Sequence, residues 1–149
     1  MSVNLTSLNL ELNNNNIGEN GANYLGEEIS KCVTLTSLFL NTSDNIVWNR
    51  GVKFLAKGIS CVTLTSLKLN LKYNFIGEDG AKYLGKGISK CVTLNSCYLE
   101  LGKNSISKNG AKYLGEGISK CVTLTSLNLD LNYNSIGENG AKFLGEKIS

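Results

Sequence analysis

The sequence predicts an α/β fold, a solenoid of five stacked strand-and-helix units, and three observations carry that reading. The segment that begins at Leu5 recurs from Leu35, Leu64, Leu94 and Leu124, at spacings of 30, 29, 30 and 30 residues, a period that marks stacked units. Within a unit the apolar residues first alternate and then fall three and four apart. One strand and one helix cannot enclose a core, so each unit must bury its apolar faces against its neighbours. The expected units are 5–34, 35–63, 64–93, 94–123 and 124–149, in one domain covering residues 1–149.

The strand comes first in each unit. Leu8, Leu10 and Leu12 alternate with polar residues, and Leu67, Leu69 and Leu71 repeat the pattern in the third unit, which is the period of a strand with one buried face. Asn15, Asn45, Asn74, Asn104 and Asn134 follow the strands. Their amides can satisfy backbone groups left open as the chain turns inward, so five stacked turns predict an asparagine ladder. Helices are expected to start at Gly18, Trp48, Gly77, Ser107 and Gly137, where Ser or Gly serves as an N-cap. Glu19, Glu78 and Glu138 come next and complement the helix dipole. In the third helix Ala81, Leu84 and Ile88 share the buried face, leaving Lys82 and Lys86 outside it.

Three further rows are read as packing. Gly21, Gly51, Gly80, Gly110 and Gly140 never vary, which implies close backbone approach between neighbours. Tyr24, Phe54, Tyr83, Tyr113 and Phe143 are expected to wedge between successive helices. Cys32, Cys61, Cys91 and Cys121 recur after each helix as a predicted row of small buried hydrophobes, and Cys97 replaces a strand leucine. With no Cys-x-x-Cys pair and no histidine, no metal site, cofactor or catalytic constellation is expected.

The pattern Leu-x-x-Leu-x-Leu, followed by Asn-x-Ile-Gly and Gly-Ala-x-x-Leu, resembles a leucine-rich repeat of the long, helix-containing class seen in ribonuclease inhibitor, and the array is similar to those of unicellular eukaryotes. The resemblance covers Leu5 to Ser149. It implies a right-handed, curved solenoid engaged in protein recognition, with a partner that the fold does not specify. Two residues are extra between the strand leucines and the asparagine, a variant expected to lengthen the strand.

Curvature follows from spacing. Parallel strands sit about 4.8 Å apart and packed helices roughly 8–10 Å apart, so the strands are expected on the concave face and the helices on the convex one. A ligand would then meet the side chains between the leucines. One row reads Asn9, Phe39, Lys68, Tyr98 and Asn128, and the next Glu11, Asn41, Asn70, Glu100 and Asp130. These positions vary between units while the leucines do not. Phe39, Lys68 and Tyr98 are the candidate anchors for a protein or peptide, with Glu11, Glu100 and Asp130 beside them. Trp48, in the most divergent unit, is either a further anchor or the filler of an altered corner. The face spans roughly 320 Å² by strand geometry, against about 800 Å² per partner in a standard interface.

Composition narrows the class. Fifteen basic and twelve acidic side chains give a net charge of +3, too little for a nucleic-acid or membrane partner to be expected, and Glu116 and Glu146 interrupt the helix lysines. No signal-like or membrane-spanning run is present in MSVNLTSLNL or beyond it, so a cytoplasmic, non-enzymatic protein is expected. Neither end carries a polar capping unit. The chain therefore reads as part of a longer array, or as a spacer that associates end to end.

Overall fold

The computed structural model describes residues 4–149. Strands and helices alternate as β1 (Ser7–Glu11), α1 (Gly18–Ser30), β2 (Ser37–Asn41), α2 (Trp48–Ile59), β3 (Ser66–Asn70), α3 (Glu78–Ile88), β4 (Ser96–Glu100), α4 (Lys108–Ile118), β5 (Ser126–Asp130) and α5 (Gly137–Ile148). The five strands form one parallel sheet in sequence order. Each strand pairs with the next so that equivalent letters of the repeat face one another: Phe39 lies beside Asn9 and Lys68, and Tyr98 beside Lys68 and Asn128. The helices form a second layer, each packed on the helices before and after it.

The apolar residues of both layers meet between them. Leu38, Leu40, Leu67, Leu69 and Leu99 from the strands join Leu55, Ile59, Leu84, Ile88 and Leu114 from the helices, all essentially inaccessible to water. In the outer units the equivalent leucines, Leu8 and Leu10 on β1 and Leu127 and Leu129 on β5, are only half-buried because a neighbour lies on one side alone. Each strand is five residues long, so the two extra residues do not lengthen it. Parallel pairing nevertheless runs past the strand ends, since the Leu12 and Asn14 amides donate to the carbonyls of Asn41 and Ser43 at 2.7 and 3.0 Å.

The asparagine ladder forms, and it has a direction. The Oδ1 of Asn45 accepts from the backbone amides of Asn15 and Ile17 at 2.8 and 3.1 Å. Asn74 serves Asn45 and Val47, and Asn104 serves Asn74 and Ile76, in the same way. Each side-chain amide meanwhile donates to carbonyls of its own and the preceding unit, as Asn74 Nδ2 does to Lys72 and Thr42. Asn45 and Asn74 are fully buried, and these bonds satisfy backbone groups that would otherwise be stranded.

Helix starts differ from the expected simple caps. Among the described residues only Ser107 caps its own helix through its side chain, accepting from the Gly110 amide at 3.3 Å. Helix α3 is capped from outside: Asn49 Oδ1 on α2 accepts from the Gly77 and Gly80 amides at 2.7 and 3.0 Å. Gly18 and Gly137 open their helices with φ near +64° and +63°, and Trp48 takes the same left-handed conformation at +57° without glycine's freedom.

The closest helix approach lies about two turns beyond the invariant glycines. A Cβ added at Gly58 would stand 2.3 Å from the Gly26 carbonyl oxygen, and one at Gly117 only 2.1 Å from that of Gly85. Gly21, Gly51 and Gly110 are also tight, chiefly against the side chains of Ile17, Val47 and Ile106 in their own units.

The cysteine row needs one correction. Cys91 and Cys121 are buried and Cys32 half-buried, but Cys61 is exposed. The second unit lacks one residue before Cys61, so Val62 takes the inward position, 6% exposed, that its counterparts give to cysteine. All five thiols are free. Burial raises the Cys91 thiol to about 11 and the Cys97 thiol to about 12.

Candidate functional site

The sheet face turned away from the helices brings the central residues together. Lys68, on the middle strand, is exposed, and its Nζ lies 4.6 Å from the Phe39 ring centre and 4.9 Å from that of Tyr98. Both rings are half-buried rather than free in solvent, because the lysine stem lies between them. The row thus forms an aromatic, cation, aromatic sandwich in which in-register pairing of β2, β3 and β4 places each side chain.

The acidic row splits. Glu100 and Asp130 converge on Lys72, whose Nζ is 3.2 Å from Glu100 Oε2 and 2.8 Å from Asp130 Oδ2. Hydrogen bonding from Lys72, with help from the Asn132 amide, holds the Asp130 carboxyl below its usual range, and the two carboxylates raise Lys72 in turn. Glu11 lies at the far edge of the sheet, where its Oε2 accepts from Asn41 Nδ2 at 2.8 Å. Trp48 stands apart from the strand rows, at the start of α2. Its ring stacks on Phe75 with centroids 5.0 Å apart and planes 20° from parallel.

Sequence reasoning missed the turn that follows the strands. Lys103 Nζ donates to Tyr73 Oη, lies 4.5 Å from that ring centre, and sits 5.2 Å from the ring of Tyr133. This is a second aromatic, cation, aromatic sandwich. Tyr133 is 80% exposed, and Tyr73, Phe75, Trp48 and Ile46 are also exposed. The comparison between units that singled out Phe39 and Tyr98 would have found these residues too, since the first unit has Asn14 and Asn16 where the third has Tyr73 and Phe75.

Backbone geometry sharpens the contrast. The turn needs a left-handed residue in every unit, and Asn14, Asp44, Tyr73, Lys103 and Tyr133 all have φ between +55° and +59°. Asn and Asp adopt that conformation at low cost, whereas Tyr and Lys are poorer choices. Ile46 and Phe75 add φ of +56°, and for a β-branched residue such as Ile46 this is a true outlier. No group of three or more metal-ligating side chains converges among the described residues, and none of their helices is long and apolar enough to cross a membrane. No protein-family model matches this chain, and none of the curated proteins matches it.

Proposed function

We propose that the chain is a right-handed leucine-rich repeat solenoid, strands on the concave side and helices on the convex, and that it works as a non-enzymatic module binding a protein or extended peptide. The observation that carries this reading is the placement of costly aromatic and cationic residues. Phe39, Lys68 and Tyr98 form one sandwich on the open strand face, and Tyr73, Lys103 and Tyr133 form another where Asn would satisfy the turn. Local choices that contradict backbone preference are where binding sites concentrate. The second sandwich also answers the shortage of area, because it extends the exposed aromatic surface beyond the strands. The ion cluster of Lys72, Glu100 and Asp130 would orient a polar group of the ligand, while the rings supply desolvated contact.

Selection of peptides from a random displayed library against the wild-type chain tests the assignment. Peptides recovered should lose at least tenfold in affinity for the Phe39→Ala/Lys68→Ala/Tyr98→Ala variant, with circular dichroism unchanged. Equal binding by that variant would sink the reading.

A second reading, self-association or extension of the array through the outer units, is favoured by the ladder. Among the described residues Asn15 Oδ1 accepts no hydrogen bond, and the amides of Asn134 and Ile136 donate none, so the two edges are complementary. A strict monomer in sedimentation at millimolar concentration would count against association.

A further inference from the structure

We infer that the helical side carries a separate docking groove for a short acidic peptide segment of a protein partner. The groove has a volume of about 600 Å³ and lies across α1, α2 and α3. Its lining includes the small buried residues Gly26, Ala56, Gly58 and Gly87, which sit where neighbouring helix backbones come into contact. Phe54 and Tyr83 also line it and offer apolar surface.

The charge lining it is specific to these units. Lys53, Lys57, Lys86 and Lys90 lie in the groove, against one carboxylate, Glu27, which is already bonded to Asn23 at 3.2 Å. None of the four lysines forms an ion pair among the described residues. The repeat itself shows the alternative. In the fourth and fifth units the lysine on the helix surface is followed four residues later by a carboxylate, giving Lys112 with Glu116 at 3.9 Å and Lys142 with Glu146 at 4.0 Å. The second and third units put lysine there instead, pairing Lys53 with Lys57 and Lys82 with Lys86. Like charges four apart destabilise a helix. The unfavourable choice is thus confined to α2 and α3, two of the three helices that line the groove.

Spacing selects the occupant. Glycine contact brings neighbouring helices toward the lower end of the usual range, roughly 8 Å, and alternate residues of an extended chain recur about every 6.8 Å. Lysine arms on successive helices, such as Lys57 and Lys86, can therefore each meet one carboxylate of such a chain, while the intervening apolar side chains face Phe54 and Tyr83. Glu116 on α4 and Glu27 on α1 bound the positive run on either side, which suits two or three acidic residues rather than a long polyanion.

The probe is a fluorescein-labelled eight-residue peptide alternating glutamate and leucine, titrated with the full chain and followed by anisotropy. Saturable binding is expected that weakens at least tenfold in Lys57→Glu/Lys86→Glu, the residue these positions carry in the later units. That variant should melt no lower than wild type, which separates lost binding from lost fold. Phe39→Ala/Tyr98→Ala should bind the probe normally, so failure of the strand-face reading leaves this test intact. No binding by wild type, equal binding by the lysine variant, equal binding of a glutamine-for-glutamate probe, or tenfold tighter binding of duplex DNA or anionic vesicles at the same salt would each overturn the proposal.

Discussion

Thr42 is the one buried side-chain polar atom without a hydrogen-bond partner among the described residues, and it stands where the other units have Leu12, Leu71, Leu101 and Leu131. Its hydroxyl is fully buried and gains nothing in return. Thr42→Val keeps the shape and removes that cost, so the variant should unfold about 1–2 kcal/mol less readily in urea. An unchanged or lower midpoint would show that the hydroxyl has a partner after all. Cys61 and Val62 make a related point about reading single residues. The spacing of the cysteines is a regular row by letter, yet one missing residue rotates the turn and exchanges the outward and inward positions. The letter is conserved within the chain and its environment is not.

At the scale of elements, the helix layer is set by how near two backbones come. Gly58 faces the Gly26 carbonyl at a distance that no Cβ tolerates, whereas Gly145 on α5 has nothing within 4 Å. Substituting alanine should therefore have opposite effects at the two sites. Gly145→Ala should stabilise by about 0.5–1 kcal/mol through helix propensity, and Gly58→Ala should destabilise by about 1–3 kcal/mol through overpacking. Thermal melts of the two variants would check both signs. Strand and helix order were legible in the sequence because Leu67, Leu69 and Leu71 have period two and Ala81, Leu84 and Ile88 have period near four. Two further glycine rows were not, because Glu28 and Lys147 break one in letters and Ala56 the other, while the packed distances alone reveal them. The Asn49 cap on α3 was equally hidden, since it joins residues 28 and 31 apart in different units.

For the whole molecule, the site was half legible. Phe39, Lys68 and Tyr98 could be placed side by side because register follows from the repeat, and the structure pairs them so. Tyr73, Lys103 and Tyr133 vary between units in the same way, but the cost of placing them at a positive φ shows only in the folded turn. The acidic residues looked like one row, but Lys72 reaches across two units to gather Glu100 and Asp130 and leaves Glu11 alone. That cluster joins three units and gives stability a pH dependence. The Asp130 carboxyl is held below its ordinary value in the folded chain. Its contribution is therefore complete above the unfolded carboxyl range, near pH 4, and fades as pH falls through the lowered folded value. Wild type should melt higher than Lys72→Met at pH 7, and the gap should shrink below pH 4. A gap independent of pH would contradict the assigned ion cluster.

The directed asparagine ladder also bears on how such a chain changes length over generations. The Oδ1 atoms of Asn45, Asn74 and Asn104 each serve two amides of the preceding unit, 27 to 30 residues earlier. A deletion that removed part of a unit would strand those amides in the interior, while excision or duplication of a complete unit would rejoin identical partners. Recombination between near-identical segments, such as those around Asn15 and Asn134, produces whole-unit steps. The ladder therefore sorts heritable length variants by folding alone, and it lets the number of units drift while the residues between the leucines diversify.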